Sequence, residues 1–402
     1  MSKIGVIAIL CLSMLFGGCG NGVSASKEND SIGVDELDSL PSLHDISIDA
    51  RLWADSIMGC MTVEEMAGQL IMPAIYSDDS YNTLRLLKKY AADNHVGGVV
   101  LLKGSAEAAK TIADSLRKMS NIPPFIAIDA EWGLAMRLKG TPEFPRNSRI
   151  AESADETALF DYGNEVAREC REIGINMVLG PVLDVLPQGR RSSGIGSRSF
   201  GKDPERVAKL GVAYAKGVES GGVISVAKHF PGHGSADADS HKRLPSVAKS
   251  REELEKTDLL PFNEYVGNGL SAIMTGHLHV PALDDGDVPV TVSEKILKDF
   301  VRNEMGFQGL IVTDAMNMAA AEGNTAADAI AAGADIVLAP ANTEDEVMRL
   351  AAAVRDGRIS AGQLRDRVGR VLFYKYIMAQ DASGSGKIGD TSEAERIIKL
   401  LR

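Results

Sequence analysis

The sequence predicts an α/β chain folded as a single (β/α)8 TIM-like barrel. Three observations carry that expectation. Eight apolar runs recur along the chain: 70–75, 96–102, 125–129, 177–185, 223–230, 272–278, 310–316 and 336–339. They are continuous rather than alternating, which is how strands read when a parallel sheet is covered on both faces. Amphipathic helical stretches separate them, and polar residues gather just past their C-terminal ends, where such a barrel keeps its chemistry.

In chain order, residues 1–18 read as a lipoprotein signal peptide. Lys3 supplies a short positive region, and the stretch from Ile4 to Phe16 is almost wholly apolar but too short for a comfortable membrane span. Gly17-Gly18-Cys19 resembles a bacterial lipobox, in which Cys19 is lipidated and becomes the mature N-terminus. The alternatives are a plain secretory signal or an uncleaved anchor; in each case the domain is exported. The expected place is a lipid-anchored one in the cell envelope, at the periplasmic face or surface of a Gram-negative bacterium. Residues 20–40 are rich in Ser, Asp, Glu and Gly and bury too little to order themselves, so 19–46 is expected to be a flexible tether.

The catalytic-type barrel is expected over 47–380. Ile48, Leu52, Trp53, Ile57 and Met58 repeat at helical spacing, and Thr62 with Glu65 reads as a capping box. Asp203-Pro204 opens a helix with an N-cap and an N1 proline, Ser250 with Glu253 caps another, and a helix from Ser293 to Met305 ends at Gly306. Stretches 344–356 and 360–379 form the last outer helices. Residues 381–402 are a tail, with a short helix expected over 394–402. Cys60 and Cys170 sit on helical patterns and read as buried free thiols, with a single bridge as the alternative.

The net charge of −12 repels polyanions and speaks against nucleic acid as a partner. The chemistry concentrates at the strand ends. The third run ends in Asp129-Ala130-Glu131, with Arg137 soon after; the fourth contains Asp184 and its loop carries Arg198. The fifth ends in Lys228-His229, the sixth in His277-Leu278-His279, and the seventh contains Asp314. Burying such a set without a ligand is costly. Three readings compete. A metal site would draw on His229, His233, His277, His279 and Asp314, but the charge of Lys228 opposes a cation. A non-catalytic sugar-binding envelope lipoprotein fits an exported chain, yet there are only two tryptophans to serve as platforms. Glycoside chemistry needs a carboxylate at the anomeric carbon and a proton donor at the leaving oxygen.

The stretch from Lys228 to His241 reads KHFPGHGSADADSH and resembles the signature loop of glycoside hydrolase family 3, in its β-N-acetylglucosaminidase (β-hexosaminidase) branch. The run from Gly309 to Met316 is similar to that family's nucleophile strand. Asp129-x-Glu131-x-Gly133, the run from Pro181 to Val185, and Arg198-Ser199-Phe200 match in order. The sequence departs from the pattern at Ser235, where relatives often carry an acidic residue, and at Trp132 and Leu134.

The resemblance implies a retaining, exo-acting enzyme that hydrolyses terminal β-linked N-acetylglucosamine, in peptidoglycan fragments, chitooligosaccharides or glycans. Asp314 is implied as the nucleophile, His241 as general acid/base, and Asp239 as the residue that orients His241. Asp129, Arg137, Arg198, Lys228 and His229 are implied as sugar contacts. No metal or organic cofactor is implied. A β-N-acetylglucosaminide phosphorylase on the same fold is the alternative within the family.

Overall fold

The computed structural model describes residues 48–78, 80–189, 194–240, 242–380 and 391–401. The expected signal, Cys19 and tether lie outside the described residues, as do His241 and residues 381–390 of the expected tail.

Among the described residues ten strands form: β1 (Ile71–Met72), β2 (Ala74–Ser77), β3 (Gly98–Ser105), β4 (Phe125–Ile128), β5 (Leu138–Lys139), β6 (Met177–Val178), β7 (Ile224–Phe230), β8 (Ala272–Thr275), β9 (Leu310–Thr313) and β10 (Val337–Leu338). They pair in the order β2-β3-β4-β6-β7-β8-β9, while β5 sits off this path against the far end of β3. At the other edge β1 pairs with β10, Ile71 opposite Val337. Val312 bridges Ile336, and the Thr313 amide donates to Ile336 O at 2.9 Å. Every strand pair is parallel, so the sheet of this α/β fold is curled and all its strands point their C-terminal ends the same way.

The apolar runs become strands because both faces are covered. In β4, Phe125 and Ala127 pack in one core cluster while Ile126 and Ile128 pack in the other, the two-residue alternation of a pleated strand. The first cluster gathers Val226, Ile273, Ile311 and Val337 with Leu350 and Leu372 of the outer helices Thr343–Arg355 and Ala361–Gln380. The second gathers Val99, Ile126 and Val178 with Ile112, Val166 and Leu210. Helices Glu156–Ile173 and Pro204–Ser220 approach closely because a glycine on each faces the other's backbone: a Cβ on Gly163 would stand 2.1 Å from Tyr214 O, and one on Gly217 2.0 Å from Phe160 O.

The helix starts follow local chemistry. The Glu65 amide donates to Thr62 Oγ1 at 3.2 Å and the Thr62 amide to Glu65 Oε2 at 2.8 Å. Ser250 and Glu253 repeat that box, and Asp203 caps the helix that Pro204 opens. Three details differ from expectation. The first helix, Ile48–Met58, turns Ala50, Ala54 and Met58 inward and leaves Ile48 and Leu52 exposed; its apolar stripe is broader than its core face. The stretch after Ser293 winds as a π-helix over Lys295–Glu304. Cys170 is a buried free thiol, but Cys60, also free, is exposed, because it lies in the turn after the first helix rather than on its inner face.

Candidate active site

The parallel sheet brings strand ends distant in sequence to one mouth. Asp129 follows β4, Lys228 and His229 lie at the C-terminal end of β7, and Asp314 follows β9. Lys228 is buried and donates to Asp129 Oδ1 at 2.7 Å and to Glu131 Oε1 at 2.8 Å. Arg137 closes on Asp129 Oδ2. Arg198 lays its planar fork on Glu131, Nε to Oε2 at 2.8 Å and Nη2 to Oε1 at 2.7 Å, the bidentate geometry guanidinium favours. Three cations thus enclose two carboxylates.

Electrostatics follow from that enclosure. Burial opposes the charge on Asp129, but Lys228 and Arg137 outweigh it and hold the carboxyl well below the usual carboxylate range. Burial likewise works against Glu131, yet Lys228 and Arg198 pull it down to about 2. Lys228, also penalised by burial, is raised by the same two carboxylates. The cradle is charged on both sides, presenting acceptors and donors together, as recognition of hydroxyl groups requires.

Asp184 is fully buried beneath this layer. Its Oδ2 lies 2.7 Å from His229 Nδ1, and Oδ1 accepts the amides of His229 at 3.3 Å and His233 at 2.5 Å. Burial raises it, but His229 leads the contributions that bring it below its ordinary value. An ionised Asp184 therefore fixes the proton of His229 on Nδ1 and leaves Nε2, 3.4 Å from Arg198 Nη2, toward the cleft. Ser199 Oγ donates to Asp184 O at 2.6 Å, so the same residue also fastens the arm carrying Arg198.

Asp314 stands across from this cradle. The Ala315 amide donates to its Oδ1 at 2.8 Å, and its own amide donates to Thr275 O at 3.0 Å. Burial pushes Asp314 up, but His229, His277, the Ala315 amide and Lys228 together hold it below its ordinary value, ionised at neutral pH. His277 braces the next residue: Nε2 donates to Ala315 O at 3.1 Å, while Nδ1 accepts from Thr291 Oγ1 at 2.8 Å. Burial lowers the His277 pKa, which keeps the ring neutral and this bonding pattern intact.

Asp129, Arg137, Arg198, Lys228, His229, Asp239 and Asp314 all line one cleft of about 410 Å³, whose apolar wall includes Leu102, Met274 and Leu338. Seven of the eight residues singled out from sequence for catalysis or sugar contact thus meet; the eighth, His241, lies outside the described residues. The histidines considered as metal ligands have protein partners. His229 faces Asp184, His277 faces Thr291 and Ala315, and His233 Nε2 lies 3.1 Å from Ser240 Oγ. Trp132 anchors its loop, with the Arg146 guanidinium 3.5 Å above its ring. Sequence reasoning assigns Glu131 no role, although it holds Arg198 and Lys228 in place. Its signal was the two-residue spacing from Asp129 at a strand end, which turns both carboxylates the same way.

An ionised, half-buried carboxylate across one cleft from a charged cradle is an arrangement that carbohydrate cleavage can use. The chain belongs to glycosyl hydrolase family 3: the family's N-terminal domain matches residues 62–373. It is a glycoside hydrolase. It is similar to the β-hexosaminidase of Neisseria meningitidis, 37% identical over 267 residues, 62% of this chain and 73% of that one. The β-hexosaminidase of Pseudomonas aeruginosa is 35% identical over 269 residues, 65% of this chain and 80% of its own length. Among solved structures, a family 3 β-N-acetylglucosaminidase from Paenibacillus superposes with a TM-score of 0.78 at 31% identity, over 85% of this chain and 68% of that one.

Proposed function

We propose that this protein is a retaining, exo-acting β-N-acetylglucosaminidase on a single (β/α)8 barrel spanning residues 47–380. The observation that carries the reading is the placement of ionised Asp314 across one cleft from the Asp129–Lys228–Arg137 cradle. The similarity to β-hexosaminidases supports the acetamido sugar as substrate.

In this mechanism the cradle holds the hydroxyls of the terminal sugar, with Arg198 as a further donor and His229 Nε2 as an acceptor. Asp314 Oδ1 is occupied by the Ala315 amide, so Oδ2 is the oxygen assigned to attack. It forms a bond to the anomeric carbon as the glycosidic C–O bond breaks, and the leaving oxygen takes a proton from His241. Water then attacks the same carbon, gives its proton to His241, and Asp314 departs as a carboxylate; two inversions retain the configuration. Asp239, which lines the cleft, orients His241. Lipid on Cys19 and the 19–46 tether place the domain in the envelope, where peptidoglycan fragments, chitooligosaccharides or glycans are the available substrates. No metal or organic cofactor takes part in these steps.

The test compares hydrolysis of an aryl β-N-acetylglucosaminide with that of an aryl β-glucoside, for the wild type and Asp314→Asn. The expected result is strong preference for the acetamido sugar and loss of turnover by at least 1000-fold in the variant. Activity on neither substrate, with sugar binding retained, would support a binding lipoprotein instead. A sugar 1-phosphate as main product in millimolar phosphate would support a phosphorylase.

A further inference from the structure

We propose that Tyr76, flanked by Tyr81, is the platform that receives the leaving-group sugar, a second hexopyranose unit beyond the one held in the cleft. This inference rests on the hexosaminidase reading above. Tyr76 is 61% exposed and Tyr81 80% exposed, although both are large and partly apolar. Their position gives that exposure a meaning.

Side chains alternate along β2. Ala74 lines the cleft, Ile75 packs into the second core cluster, and Ser77 is buried with its Oγ on Leu102 O at 2.8 Å. Tyr76 therefore shares the cleft face with Ala74 and stands two residues, about 7 Å, nearer the mouth. The register shift between Ile75 and Ser77 does not disturb this, since Ile75 pairs with Leu101 and Ser77 with Gly104, putting the extra residue on β3.

The strand order sets the distance from the chemistry. β10 lies between β9, which delivers Asp314, and the β1–β2 edge, since the Ala339 amide donates to Met72 O at 2.8 Å and the Met316 amide to Leu338 O at 2.9 Å. Two strand spacings put Tyr76 about 10 Å to the side of Asp314. The end of β10 between them carries Ala339, Pro340 and Ala341, which raise no tall wall. Around the sheet, β4 with Asp129 lies four strands from β9 in either direction. A sugar anchored at Asp129 with its anomeric carbon over Asp314 directs its aglycone away from the anchor, outward past β9, and the low end of β10 leaves the side toward Tyr76 open.

Tyr81 follows at the start of the next helix, after a turn held by side-chain bonds. Asp78 Oδ1 accepts the Ser80 amide at 3.1 Å, Ser80 Oγ accepts the Thr83 amide at 3.2 Å, and Tyr81 opens the helix Tyr81–Lys88. An exposed tyrosine ring above the cleft offers a flat face to the C–H side of a pyranose, and the occupant that the hexosaminidase reading brings there is a sugar.

The experiment measures kcat/KM on di-N-acetylchitobiose and on methyl β-N-acetylglucosaminide, whose leaving group is too small to reach Tyr76, for wild type, Tyr76→Ala and Tyr76→Phe in the full chain. The expected result is that the chitobiose-to-methyl ratio falls roughly tenfold in Tyr76→Ala and recovers in Tyr76→Phe, which keeps the flat face. A wild type active on both sugars with an unchanged ratio in Tyr76→Ala overturns the platform alone. A ratio that Tyr76→Phe fails to recover also overturns it, because the contact is then the hydroxyl. A wild type inert on both sugars overturns the hexosaminidase reading and this inference with it.

Discussion

Replacing Glu131 by Gln changes one oxygen for an amide and removes one buried charge. The Glu131 side chain has no exposure and takes three charge-assisted bonds, two from Arg198 and one from Lys228. A carboxyl drawn to about 2 from an ordinary 4.5, against the opposing effect of burial, stabilises the folded form by about 3 kcal/mol at neutral pH. The cost of breaking a buried pair, about 3–5 kcal/mol, is of the same size. Because the folded value lies below the unfolded one, this stabilisation is fully present above pH 4.5 and is lost as the pH falls through 2. Urea denaturation of wild type and Glu131→Gln at pH 7 and pH 3 measures it. The expected gap is about 3 kcal/mol at pH 7, narrowing to about 1.5 kcal/mol at pH 3. A gap below about 1 kcal/mol at pH 7, or one that does not narrow in acid, would refute the assignment of Glu131 as the charge that organises the cradle.

Two further outcomes follow from buried groups elsewhere. Lys375 is buried, its amine held at about 7 by burial alone, and its one hydrogen bond among the described residues goes to Gln69 Oε1 at 2.6 Å; Lys375→Met should stabilise the fold by about 1–4 kcal/mol near pH 6. Since the folded value is depressed, wild-type stability rises between pH 7 and 10.5, so the gain should shrink in thermal scans at pH 9.5; destabilisation at pH 6 would show that the Gln69 bond outweighs burial. His277→Phe leaves Ala315 O without its donor and should lower kcat roughly tenfold, with His277→Gln, which can still donate, closer to wild type; equal losses in the two variants would deny the ring its positioning role.

The strands and most helix starts were legible because they are written in local chemistry. Continuous apolar runs, Thr62 with Glu65, Asp203 before Pro204 and Ser250 with Glu253 each act within a few residues. The inner face of the first helix was less legible, because Ile48 and Leu52 share a stripe with residues that do pack, and only the neighbouring helix Ala361–Gln380 decides which side is covered. In the cleft, residue identities could be read from motif order, but pairings could not. Nothing in the order of Asp129, Glu131, Arg137, Arg198 and Lys228 says that Arg198 forks onto Glu131 while Arg137 takes Asp129. Those choices depend on which side chains reach the same level above the sheet. Asp184 shows in the sequence only as a carboxylate in a strand run, but the groups it holds are the ring that faces the cleft and the arm that carries Arg198.

The cradle also has a history within each folding event. Lys228 meets Asp129 across 99 positions of chain, and Arg198 meets Glu131 across 67. As the chain leaves the ribosome, the two carboxylates emerge well before the ammonium that neutralises them, and they remain hydrated until β7 docks. The loop-closure cost is met before the ionic clasp can repay it, so the clasp locks a sheet already brought together by its apolar runs. The clasp therefore closes late and as a whole, after the strands that carry its members have paired.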